Sequence, residues 1–166
     1  MECSIRKASL EDALTITKLL DEVTLALHQK GIAQWDEPWD QALLEQEIRL
    51  GRVWAVCDGA AMIGTFSLRP LTAAPWLSSS ADPEGQWYLY RVALLPSCQG
   101  RGVGRNMVCF ALDLARRAQK DLYLDCWAGN AVLRQFYSSA GFDTIGIFPE
   151  EDYEICVFFH RFDKEN

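Results

Sequence analysis

Histidine is nearly missing from this sequence: among 166 residues only His28 and His160 occur. That scarcity excludes a histidine-rich metal site and leaves few partners to activate a serine or cysteine nucleophile. Six cysteines are present (Cys3, Cys57, Cys98, Cys109, Cys126 and Cys156), but no two form a C-x-x-C pair. Most stand among apolar neighbours, where a free thiol behaves as a small hydrophobe, so reduced cysteines and no metal are expected. Long apolar runs are also lacking, and none reaches the ~18 residues needed to span a bilayer. The opening Met1-Glu2-Cys3-Ser4-Ile5-Arg6-Lys7 has no apolar leader core, so a cytoplasmic protein without membrane association is expected. Basic charge is in deficit, with 16 Lys+Arg against 23 Asp+Glu and a net charge of -7. This balance disfavours nucleic acid and suits a cationic partner such as an amine. Any anionic ligand then needs a local positive pocket.

What is there is a chain with 49% hydrophobic residues, long enough for one domain with a real core, expected over residues 1–166. Residues 2–7 read as a strand. Ser9-Leu10-Glu11-Asp12 resembles a capping box, and Ala13, Ile16, Leu20, Val23 and Leu27 then recur at helical spacing until Gly31. Pro38 is expected to open a second helix through about Leu50. Val53–Cys57 and Ala61–Leu68 read as a hairpin around Asp58-Gly59. Residues 70–86 form a long loop, and the apolar run Trp87–Leu95 predicts a strand buried on both faces. A helix follows with Val103, Met107, Ala111, Leu114 and Ala118 on one face. Leu122–Trp127 is a strand, Asn130–Ala140 a helix ended by Gly141, and Phe142–Phe148 and Tyr153–Phe162 close the chain as strands. The order predicts an α/β (α+β) domain, a mixed sheet of about seven strands flanked by about four helices.

Between strand and helix lies Gln99-Gly100-Arg101-Gly102-Val103-Gly104-Arg105. Glycines let a backbone approach a ligand closely, and the first amides of a helix favour an anion. With Arg101 and Arg105 beside them, a pyrophosphate is the natural guest. A tight turn with no ligand is the alternative. A Walker A loop needs a closing Gly-Lys-Ser/Thr, and a dinucleotide fingerprint needs glycine where Arg105 stands, so neither fits.

Gln99, Gly102 and Gly104 match the spacing Q/R-x-x-G-x-G/A, after Tyr90-Arg91-Val92-Ala93-Leu94-Leu95-Pro96. Asn130 through Phe142 matches N-x-x-x-x-x-F-Y-x-x-x-G-F. The two motifs, spanning about a third of the chain, resemble the GNAT N-acetyltransferase superfamily. The resemblance implies the GNAT fold, acetyl-CoA as cosubstrate, and a preceding strand that bulges and splays from its neighbour. It implies that Val92 and Leu94 pair with the pantetheine arm and that a backbone N–H near Leu94 polarises the thioester. Asn130 would hold the same arm, and Tyr137 would protonate the departing thiolate. Simple packing beside Phe136 is the other reading of Tyr137.

The segment Gly31-Ile32-Ala33-Gln34-Trp35-Asp36-Glu37-Pro38-Trp39 resembles a G-I-x-Q-W stretch of GNAT proteins, in a connection that borders the acceptor cleft. Gln34, Trp35 and Asp36 are therefore acceptor-site candidates, with a solvated aromatic plug as the alternative. Asp125 and Tyr90 are candidates for the base that deprotonates the amine, as is a carboxylate acting through water. Cys126 lacks a histidine activator, so direct transfer through a tetrahedral intermediate is expected. The expected acceptor is a small primary amine. A protein N-terminus or lysine, or an acyl-CoA sensor without turnover, are the alternatives, and a homodimer is compatible with each.

Overall fold

Arg6 and Asp12 fix where the first helix begins. The Arg6 guanidinium grips the Asp12 carboxylate at 2.7 and 3.0 Å, and this carboxylate also accepts from the Ser9 amide at 2.8 Å. The acid is thus the half of the predicted capping box that holds the turn. A short 3-10 turn, Leu10–Asp12, leads into α1, Ala13–Gln29, which buries Ala13, Ile16, Leu20 and Val23 as its spacing predicted. Gly31, at φ 79, follows the helix end.

The second helix, α2, covers Gln41–Arg49 and starts later than Pro38 suggested. Asp40 is its cap, accepting from the Ala42 amide at 2.9 Å. Trp39 is drawn instead onto α1, its amide donating to Asp21 at 2.7 Å and its indole to Thr24 at 2.9 Å. A computed structural model gives the chain over residues 3–32, 35–36, 38–79 and 81–162.

The strands are β1 (Cys3–Lys7), β2 (Val53–Asp58), β3 (Ala61–Pro70), β4 (Gln86–Leu94), β5 (Asp121–Trp127), β6 (Asp143–Pro149) and β7 (Glu154–His160). The remaining helices are α3 (Val103–Arg117) and α4 (Ala131–Ser139). All seven strands form one sheet in the order β1-β2-β3-β4-β5-β7-β6, the mixed architecture expected from the sequence. The pairs β1–β2, β2–β3, β5–β7 and β6–β7 are antiparallel, while β4 and β5 run parallel.

By packing, the chain divides into two units: Met1–Ser67 with Arg91–Met107, and Leu68–Tyr90 with Val108–Asn166. The first has a core of Ile16, Leu19, Leu20, Leu44, Ile48, Val53 and Ala93. Buried in the second are Leu122, Leu124, Cys126, Tyr137, Phe142, Val157 and Phe158. Two predicted faces need correction. β4 is not buried on both sides: Leu89 and Ala93 are buried, but Tyr88, whose hydroxyl donates to Asp125, and Tyr90 are only half-buried. On α3 the buried stripe is Val103, Met107, Val108, Ala111, Leu112 and Ala115, while Leu114 is partly and Ala118 fully exposed. Val103, Met107, Ala111 and Ala115 stand four residues apart with Val108 and Leu112 beside them, so the stripe keeps to the four-residue step where the expected face turned to Leu114 and Ala118. Among the described residues no helix is long and apolar enough to cross a membrane.

The Asp12 carboxyl is held at about 2, first by its hydrogen bonds from Arg6, with Ser9 adding to the effect against the cost of burial. A carboxylate lowered in the folded state contributes stability that is present above the unfolded value and lost as pH falls through the folded one. Asp12→Asn is therefore expected to lower the melting temperature at neutral pH. That deficit should shrink as pH falls from about 4 toward about 2, which melting curves across the range will check.

Candidate active site

In the first unit the glycine loop feeds directly into α3. The Gly102 carbonyl takes the Asn106 amide at 3.1 Å, so the amides of Val103, Gly104 and Arg105 are the opening ones of the helix. Such amides have no carbonyl one turn back to bond. Gly100 and Gly102 sit at φ 79 and 81, a conformation glycine adopts freely and one that curls successive N–H groups toward one side. A Cβ at either position would meet nothing within 4 Å, so the space before the loop is open. Arg101 and Arg105 are exposed beside it. Open space, helix-opening amides and two guanidinium groups fit a pyrophosphate.

Gln99 ties the loop to the strand before it. Its side-chain amide donates to the Leu94 carbonyl at 3.1 Å and so folds the loop back on the end of β4. Leu95 continues the tie, its amide donating to Ile63 at 2.8 Å. Val92 and Leu94 lie half-buried on β4 ahead of the loop. Just before them Arg91 has φ 51, a left-handed residue inside a strand. A non-glycine residue there costs about 1–3 kcal/mol and needs outside support. Glu47 of α2 supplies it, accepting from Arg91 at 3.0 Å, while the Trp39 ring lies 5.5 Å from the guanidinium. Arg52 braces the same Glu47 at 3.4 Å.

In the second unit, β4 pairs with β5 only from Gln86↔Asp121 to Tyr88↔Tyr123. At that point the Tyr88 hydroxyl donates to Asp125 at 2.6 Å. Tyr90 stacks on Tyr88, with ring centroids 5.6 Å apart and planes within 6°. The Arg69 guanidinium lies over both rings, at 4.8 and 5.4 Å. Burial pushes the Asp125 carboxyl above the usual carboxylate range, and Glu150 adds to this, while Tyr88 and Arg69 oppose it. Tyr88 itself is driven strongly upward, by burial first and then by Asp125.

Tyr137 is buried among Phe136, Phe142 and Phe158, with ring centroids at 5.2, 6.2 and 5.7 Å. Its hydroxyl makes no hydrogen bond among the described residues. Burial, then Cys126 and Asp125, raises its pKa, so the proton is retained. Cys126 is pushed up to about 12, by burial first and then by Cys156 and Asp125, which leaves it a thiol at neutral pH and a poor nucleophile. Asn130 caps α4, its side-chain oxygen accepting from the Leu133 amide at 3.1 Å. What it can offer a ligand is therefore its amide N–H₂.

The structure thus joins Tyr90 and Asp125 through Tyr88, which the sequence reading had passed over along with Arg69, Arg91 and Glu47. The i, i+2 spacing of Tyr88 and Tyr90 on a strand was the available signal. Trp35 and Asp36 belong to the first unit. Trp35 packs edge-on to Trp39 at 5.6 Å and its carbonyl bonds His28 at 2.6 Å, which favours the aromatic plug for that residue, while Asp36 is exposed. Gln34, like Glu37, lies outside the described residues.

Known proteins share the fold. The profile of the Acetyltransferase (GNAT) family matches residues 18–142. A mycothiol acetyltransferase of Beutenbergia cavernae is 28% identical over 134 residues, 79% of this chain and 44% of that protein. The N-alpha-acetyltransferase RimI of Mycobacterium tuberculosis is 25% identical over 114 residues, 68% of this chain and 66% of RimI. The chain thus spans less than two thirds of either relative. The solved structure of yncA from Salmonella typhimurium, with acetyl-CoA, superposes with a TM-score of 0.75 at 21% identity, covering 99% of this chain and 96% of that one. The family match alone extends over well more than half of the residues, and the chain belongs to the GNAT acetyltransferase family.

Proposed function

We propose that this protein is an acetyl-CoA-dependent N-acetyltransferase acting on a small primary amine. The observation that carries the reading is the amide-rich opening of α3, with open space before Gly100 and Gly102 and arginines on either side. Its amides, with Arg101 and Arg105, hold the coenzyme pyrophosphate. Backbone groups of Val92 and Leu94 take the pantetheine arm, with the Leu94 N–H toward the thioester oxygen and the Asn130 amide as a further donor.

Acetyl-CoA supplies an activated acetyl thioester, which the amine attacks directly. Asp125 takes the proton released from the amine nitrogen. As the carbon–sulfur bond breaks, Tyr137 gives its proton to the thiolate and recovers one from solvent. The phenol keeps its proton and has no hydrogen-bond partner among the described residues, so the proton is there to give. A sensor without turnover has no need of it. The proposed chemistry uses no metal. The resemblance to RimI favours a second reading, in which the amine is a protein N-terminus.

Three measurements test the proposal. Calorimetric titration should show acetyl-CoA binding, weakened at least tenfold by Gly104→Asp. Gly104 sits inside α3 without positive φ, so that variant introduces charge rather than backbone strain. Unchanged affinity would reduce the loop to a turn. Tyr137→Phe should keep folding and acetyl-CoA affinity while kcat falls by about 10- to 10⁴-fold. Normal turnover would leave Tyr137 a packing residue.

The third concerns pH. The base must be ionised, so kcat/KM should rise with pH through a value above the ordinary carboxylate range. Tyr88 holds that value down by donating to the ionised form, so Tyr88→Phe should move the limb to higher pH. A limb that stays in place or moves down would remove Asp125 as the base.

A further inference from the structure

Arg69 is a half-buried cation whose flat face is occupied and whose edge is not. Its guanidinium stacks over Tyr88 and Tyr90, yet it makes no ion pair or hydrogen bond among the described residues. A guanidinium stacked on aromatic rings keeps its in-plane N–H groups, and their fork matches a carboxylate. The nearby negative charge belongs to Asp125, which Tyr88 already bonds, and to Glu150. Asp125 feels Arg69 through space without pairing with it. The same face of the second unit therefore presents a cation with open donors beside a carboxylate, with Tyr88 between them.

We propose that Arg69 binds the carboxylate of the acceptor, so that the acceptor is a free amino acid whose α-amine faces Asp125. This rests on the acetyltransferase reading and narrows it. An α-amino acid carries its ammonium and carboxylate on one carbon, matching the adjacent opposite charges of Asp125 and Arg69. A peptide N-terminus has the amine but an amide in place of the carboxylate, and would leave the Arg69 edge unpaired. Tyr88 serves both ends, as the surface under the guanidinium and as the donor to Asp125. Arg69 is thereby a specificity residue, while Asp125 carries the proton.

The experiment compares free amino acids with their own carboxamides as acceptors, following thiol release with the full chain, in the native protein and in Arg69→Gln. The native protein is expected to favour the acids. Measured on the pH plateau above the Asp125 limb, where losing the Arg69 charge no longer changes the ionised fraction of that carboxyl, Arg69→Gln should lower kcat/KM for the acids by roughly 10- to 150-fold, the range for losing hydrogen bonds to a charged group, and leave the carboxamides within about threefold. An equal loss on both series would make Arg69 a structural support and overturn the proposal. So would native activity on carboxamides equal to that on acids, or acetyl-CoA binding without acetylation of any amino acid. A native protein that fails to bind acetyl-CoA in a parallel titration would overturn the acetyltransferase reading itself, and this inference with it.

Discussion

The hydrogen bond from Tyr88 to Asp125 stands where backbone pairing between β4 and β5 ends. Up to Tyr88↔Tyr123 the strands are joined by their own amides and carbonyls. From there the described link is a side-chain bond of 2.6 Å between a phenol and a carboxylate. Both groups are half-buried, and hydrogen bonds to a charged group are among the stronger ones. The bond also orders what surrounds it. It fixes the Tyr88 ring on which Tyr90 and Arg69 stack, and it leaves one Asp125 oxygen for other work. Carboxylate, stacking surface and cation share one anchor.

The local parts of this protein were legible in its sequence. The glycine loop, the start of α3 and the cap and stop of α4 involve neighbours in the chain. Their conformations follow from glycine at positive φ and from Asn130 before an apolar helix. The mixed character of the sheet also followed, because hairpins alternate with helical crossovers, while the order of its strands did not. The long-range pairs were not legible. Tyr88 and Asp125 are 37 residues apart, and Arg91 and Glu47 are 44 apart. Nothing in the pattern of either segment names its partner. Pro38 misled for a related reason: its preference for a first helical turn lost to the tertiary bonds of Trp39 with Asp21 and Thr24.

Charge is distributed with more purpose than the net value of -7 suggests. The surplus of carboxylates favours the approach of cations, a long-range effect that depends on ionic strength. Against that background the arginines sit at particular places. Arg101 and Arg105 flank the opening of α3, Arg91 braces a strand, and Arg69 caps a pair of tyrosines. A uniformly acidic surface would repel an anionic coenzyme. Arg101 and Arg105 place two positive charges at one loop of an otherwise acid-rich chain.

The left-handed residue in β4 also bears on how the sheet finds its alignment. Arg91 tolerates φ 51 because Glu47 and Trp39 hold its side chain. Sliding the strand by one position would bring Tyr90 or Val92 to that spot. Neither can form an ion pair with Glu47, and a β-branched valine at positive φ is a severe steric outlier. A slip would also turn every side chain of the strand to the opposite face. The kink therefore acts as an index mark that favours a single alignment of β4 over its one-residue slips.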